Sequence, residues 1–205
     1  MGVGKYDPAM FASHRLVALA VADTGRKVDE PDGVVEPVEV GVTVFDGGRV
    51  GATRTWLVRP SRPVTVWATR GHGIDDRTVA DAPGLAQVAE QIGEALADRI
   101  VVAVRASHGH AMLAPALPDW HPPRLVDLRR LSALVWPWCS QALGAVEIQA
   151  RVNTPGPLGR ARHDAPAVAA VFLALAKRTG WPAERMLRLG TVTEDPAGAP
   201  AGVIR

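Results

Sequence analysis

Leu16-Val17-Ala18-Leu19-Ala20-Val21-Ala22 runs without a single polar side chain and stops at Asp23-Thr24-Gly25. A short apolar run closed by a turn signal reads as a buried strand. Working outward, residues 38–45 alternate and are rich in β-branched side chains, which predicts a second strand. Asp46-Gly47-Gly48 is a hairpin signal, and residues 49–58 alternate again as the returning strand before Pro60 and Pro63 break it. These three segments predict an antiparallel meander. Residues 26–37, charged and carrying Pro31, Asp32-Gly33 and Pro37, read as a surface loop.

The rest of the chain changes rhythm. Residues 82–96 place Leu85, Val88, Ala89, Ile92 and Leu96 at helical spacing, with Pro83 in the first turn. Residues 100–104 form a β-branched run, 108–117 a short helix candidate, 124–126 a brief strand and 127–134 a helix. A further short helix is expected at 140–146, a Gly/Pro/Arg-rich loop at 151–162 and a long helix at 163–178. A meander followed by alternating strand and helix predicts an α/β domain whose mixed sheet is flanked by helices. The expected organisation is a lead at 1–15, one domain at 16–178 and an extension at 179–205 whose last ten residues are mobile.

Composition narrows the function. The formal charge is only +2, so bulk charge does not tie this chain to nucleic acid. The charge is uneven, however: residues 101–205 carry 12 Lys and Arg against 7 Asp and Glu. One cysteine, Cys139, excludes a disulfide framework and a thiolate zinc cluster. No apolar run is long enough to span a bilayer, and the first residues carry no secretory signal pattern. A cytoplasmic protein without membrane contact is expected.

Several segments, in order, resemble the DEDDh 3′–5′ exonuclease family. The strand and turn at residues 19–25 are similar to its opening motif, a strand with Asp-x-Glu followed by a Thr-Gly turn. The most specific likeness is Arg70-Gly71-His72-Gly73-Ile74-Asp75-Asp76 and the Ala82-Pro83 that follows. Residues 100–113 resemble the strand and helix that carry the family's third acid, and Val126-Asp127-Leu128 resembles its Val-Asp-Thr. Asp164-Ala165-Pro166-Ala167-Val168-Ala169 resembles the closing Asp-Ala helix. The likeness covers residues 16–178 and implies a ribonuclease-H-like exonuclease fold. It also implies a chemistry, phosphodiester hydrolysis by two divalent ions about 4 Å apart held by carboxylates, with a histidine as general base.

Carried over one position at a time, that chemistry fails. The first Asp falls on Ala20, the Glu on Ala22, the third acid on Gly109 and the general base on Gly159; Asp164 alone is retained. Ala20 and Ala22, being alternate, are expected on the strand face where the metals would lie, and Asp23 on the opposite face or in the turn. The resemblance therefore implies a catalytically inactive relative without its Mg²⁺ or Mn²⁺. Such a chain would bind single-stranded nucleic acid or another phosphate-bearing ligand through His72, Arg105, His108, His110, Arg160, Arg162 and Asp164. Plainer readings stand beside this one. Asp164 reads equally as a helix cap, His72 as a turn histidine, and Arg160 and Arg162 as a solvated loop. Trp136 and Trp138 read as base-stacking or core residues, Trp120 as a tip or as packed back. Two other functions remain open. One is a scaffold docking a protein partner or a second copy of itself. The other is a residual or repurposed hydrolase built from Asp23, His108, His110 and Asp164.

Overall fold

The computed structural model describes residues 7–26, 33–154 and 156–192. The expected mobile C-terminal residues and residues 27–32 of the 26–37 loop lie outside the described residues. After a short 3-10 turn, Pro8–Phe11, the chain forms β1 (Leu16–Asp23), β2 (Pro37–Asp46) and β3 (Arg49–Leu57). Then come α1 (Val66–His72), α2 (Asp76–Val79), α3 (Leu85–Leu96), β4 (Ile100–Ala103), α4 (Ala106–Leu113) and β5 (Leu125–Asp127). Helices α5 (Leu128–Val135), α6 (Leu143–Ala150), α7 (Ala161–Thr179) and α8 (Ala183–Gly190) complete it. The sheet order is β3-β2-β1-β4-β5, antiparallel across the meander and parallel from β1 to β4 to β5. The mixed sheet expected from the sequence is the one observed.

The apolar run of β1 is explained by burial on both faces. Leu16 and Ala18 pack with Val168, Val171, Phe172 and Leu175 of α7. Val17 and Leu19 pack on the other face with Val88, Ile92 and Leu96 of α3 and Leu113 of α4. Each fully buried aliphatic side chain of this kind supplies roughly 1.5–3 kcal/mol of transfer free energy. Close approach of α7 to the sheet depends on Gly41: a Cβ there would lie 2.3 Å from the Ala161 carbonyl oxygen.

Several boundaries move. Helix α3 starts at Leu85, leaving Pro83 outside it, because Gly84 caps the helix and its amide donates to Gln87 Oε1 at 2.7 Å. Helix α4 starts at Ala106 and α7 at Ala161, both ahead of the expected histidine starts. Two helices, α1 and α2, occupy a stretch to which the sequence reading assigned no element. Residues 183–192, read as an extension, join the core: Met186 and Leu187 are fully buried. The Val192 amide donates to the Leu125 carbonyl at 2.9 Å, covering the β5 edge. No helix among the described residues is long and apolar enough to cross a membrane.

Candidate functional site

Parallel strands β1 and β4 end side by side, with α4 on one sheet face and the start of α7 on the other. Between them lies a cleft of about 180 Å³ lined by Ala20, Val21, Asp23, Arg105, His108, Gly109 and Asp164, among others. Strand ends at a crossover are where α/β sheets place ligands.

Ladder register fixes what looks into this end of the sheet. Ala20 pairs with Gly41, which faces Ala161 and Ala165, and Ala22 pairs with Glu39, which meets Arg160, so this face of the meander looks toward the start of α7. Ala20 lines the cleft, whereas Ala22 is closed into a small apolar cluster with Val38, Ile74 and Val79. The register then slips between Ala22 and Asp23. Asp23 was expected on the far face or in the turn. It does both: Oδ1 accepts the Gly25 amide in the turn at 2.8 Å, while Oδ2 lies 3.3 Å from His108 Nε2 of α4, on the face opposite α7. Burial pushes the Asp23 carboxyl up. The hydrogen bonds from His108 and Gly25, and the charges of His108 and Arg105, outweigh it and hold the group below its ordinary value.

Glu39 is the functional-site residue that sequence reasoning missed. It is 2% exposed. Arg160 grips it with Nε at 3.1 Å and Nη2 at 2.7 Å, and Arg162 Nε stands 4.0 Å away. Burial raises the Glu39 carboxyl, and the hydrogen bond and charge of Arg160, aided by Arg162, lower it further than burial raises it. The signal was one carboxylate inside Val38-Glu39-Val40-Gly41-Val42, a strand otherwise too apolar to face water.

Asp164 sits in the first turn of α7, and its Oδ1 accepts the Gly159 amide at 2.8 Å. Burial raises its carboxyl above the ordinary value despite that bond. A carboxyl raised in the fold stabilises it in its protonated form. The contribution is complete below the unfolded value, about 4, and is lost as pH rises through the folded one. Asp164→Asn keeps an acceptor for Gly159 and removes the charge. It is expected to raise the melting temperature at pH 7, with the gain shrinking to nothing below about pH 4 in a series of thermal melts.

The other expected ligands scatter. His72 is tied to backbone on both nitrogens: Nε2 donates to the Asp23 carbonyl at 3.0 Å and Nδ1 accepts the Ile74 amide at 3.1 Å. Arg105 is exposed at the cleft rim, caps α4 with φ +58°, and its amide meets Asp127 Oδ1 at 3.4 Å. His110 turns away from the cleft and packs on Trp120, ring centroids 4.9 Å apart. Trp120 is packed back rather than forming a tip, and Trp136 is core at 2% exposure. Arg160 is committed to Glu39, while Arg162 is exposed. Gly109 lines the cleft, with 3.6 Å between an added Cβ and Leu19 Cδ2. Gly159, at φ +105°, holds its backbone so close to α1 that an added Cβ would lie 2.3 Å from the Gly71 oxygen.

Comparison with known proteins gives the family. The family model described as Exonuclease, of the RNase T type, matches residues 24–132, more than half of the 205 residues. This chain belongs to the RNase T exonuclease family. Exodeoxyribonuclease 10 of Escherichia coli K12 is 28% identical over 158 residues, which is 75% of this chain and 67% of that protein. Among solved structures, exonuclease X in complex with 5′-overhanging duplex DNA superposes with a TM-score of 0.69 at 23% identity, covering 85% of this chain and 99% of that one. The nuclease domain of 3′hExo, a DEDDh member bound to rAMP, gives 0.67 at 13% identity over 80% of this chain and 92% of that one. Pop2p of S. pombe, in a Mg²⁺- and Mn²⁺-bound form, gives 0.69 at 16% identity over 87% and 90%. All three are likenesses of fold.

The two-metal centre implied by membership of this exonuclease family needs several oxygen ligands converging on each ion. The residues present do not fit it. Ala20 and Ala22 offer methyl groups, Glu39 is neutralised by Arg160, Asp164 is held by Gly159 and Asp23 by His108. Among the described residues, no three His, Cys, Asp or Glu side chains group so as to hold a metal ion.

Proposed function

We propose that this member of the exonuclease family binds the end of a single-stranded nucleic acid in the β1–β4 cleft, without divalent ions and without cutting it. The observation that carries the reading is electrostatic. Where the fold would gather acidic metal ligands, this chain sets methyl groups and an internal Arg160–Glu39 pair, and leaves Arg105 exposed at the rim beside His108. A guanidinium at a cleft mouth takes a phosphate directly through charge-assisted hydrogen bonds. The relative seen with 5′-overhanging duplex DNA makes nucleic acid the natural first ligand to test. A cytoplasmic location suits such a ligand and the single free thiol of Cys139.

The test is fluorescence anisotropy of a 5′-labelled single strand at two salt concentrations, with and without Mn²⁺. Binding should weaken steeply with salt and the signal should hold steady in Mn²⁺. Arg105→Glu should weaken binding by about tenfold or more and flatten the salt slope, which runs at roughly −0.7 per phosphate contact for single strands. A signal that decays only with Mn²⁺ would establish hydrolysis and overturn the reading. Failure to bind at either salt would favour a scaffold, a second reading supported by Trp138 and Ile148, each 74% exposed.

A further inference from the structure

Helix α1 lies outside the cleft lining, against the turn that carries Asp23. The Thr65 amide at its start donates to the Thr24 carbonyl at 2.9 Å, and His72 at its end donates to the Asp23 carbonyl at 3.0 Å. Gly159 backs onto Gly71 from the α7 side. The helix is thus pinned at both ends to the turn that carries Asp23. Yet none of its residues is buried: Val66 is 65% exposed and Trp67 70%. An indole held in water on a rigid element contributes little to the core and has a face to offer.

The ring is not alone. Arg70, one turn along, sets its guanidinium carbon 5.1 Å from the Trp67 ring centroid. From Trp67 to His72 the helix rises about 8 Å at ~1.5 Å per residue, a step a short extended strand can bridge. With Arg70 over one face of the indole, the opposite face of this exposed ring matches a nucleobase and the guanidinium its phosphate: the base stacks and the charge tracks the backbone. An apolar peptide side chain would meet the same ring but would leave the charge of Arg70 unanswered.

We infer that Trp67, flanked by Arg70, is the stacking platform for a base of the strand whose end enters the cleft. This rests on the nucleic-acid reading above and adds to it a contact outside the cleft. No sequence pattern marked it; Trp136 and Trp138 drew attention instead, and Trp136 is core.

The experiment uses the full chain and the labelled single strand. Trp67→Ala should weaken binding by about 5- to 100-fold, and Trp67→Phe should retain most of the affinity, because any aromatic face stacks. Neither variant should alter the melting curve, since the side chain packs against little. An abasic site walked along the strand should weaken wild-type binding at one position and leave Trp67→Ala unaffected there. If wild type binds and Trp67→Ala binds equally well, the platform is refuted while the cleft reading stands. If Trp67→Phe falls as far as Trp67→Ala, or the abasic strand loses nothing in wild type, the residue does not act by stacking and the inference fails. If wild type binds no strand at all, both readings fall together.

Discussion

Arg160→Met should lower the free energy of unfolding by about 3–5 kcal/mol, because it leaves the Glu39 carboxylate buried without its partner. For a chain of this size that corresponds to a fall in melting temperature of roughly 6–20 °C. The pair is well placed for so large an effect. The Glu39 side chain is 3% exposed and that of Arg160 15%, so water screens neither well. Replacing both partners by apolar residues, as in Glu39→Leu with Arg160→Met, should recover most of the loss, since two desolvated charges are removed together. A single-variant loss below about 1 kcal/mol would mean that water reaches the pair and that it behaves as a surface bridge. Glu39 also contributes on the acid side. Its carboxyl is lowered in the fold, so its stabilisation is present above the unfolded value and is lost as pH falls through the folded one. Glu39→Gln should therefore flatten part of the acid limb of the stability curve.

Gly159→Ala and Gly109→Ala should have opposite signs, although the family likeness treats both positions as lost catalytic residues. At Gly159 the backbone has φ +105°, a region open essentially to glycine alone, and an added Cβ would meet the Gly71 carbonyl oxygen at 2.3 Å. Backbone strain costs about 1–3 kcal/mol by itself, and α1 or the loop before α7 must also shift. Gly159→His should fare no better, so restoring the family's base at this position should not rebuild a catalytic site. At Gly109, inside α4, the added Cβ would touch Leu19 Cδ2 at 3.6 Å and Val21 Cγ2 at 4.0 Å, which is ordinary contact. There the helix gains about 0.5–1 kcal/mol from the alanine. Chemical denaturation of the two variants side by side reads the difference. Equal destabilisation would contradict the geometry at both sites.

The fold was legible because burial is written into alternation. β1 is apolar on both faces since α7 and α3 cover it, and β2 and β3 carry a hairpin signal between them. Helices α1 and α2, of 7 and 4 residues, are too short to show a period, although Thr65 at the start and Gly73 in the left-handed region at the end are cap signals. The site was legible only where strand register is simple. Ala20 and Asp164 both line the cleft, and Asp23 lies on the α4 face where counting by twos puts it, but its partner His108 stands 85 residues away and no local pattern foresees the contact. His108 and His110 look equivalent in sequence. Two residues apart on a helix, they face different directions, one to Asp23 and the other to Trp120. Glu39 was passed over because a carboxylate is ordinarily taken to face water, and its partner lies 121 residues away. Trp67 carries no pattern at all, because exposure belongs to the fold rather than to the residue.

The packing of α7 across β1, β2 and β3 has a consequence for the order of synthesis. The meander is complete by Leu57, but the helix that covers its Leu16–Ala18 face ends at Thr179. At ~5–20 residues per second the nascent chain carries that apolar face uncovered for about 6–25 s before its lid is made. Chains terminated before α7 retain the three strands and lose the Phe172–Leu175 cover, so they are candidates for chaperone capture or aggregation rather than for a smaller working domain.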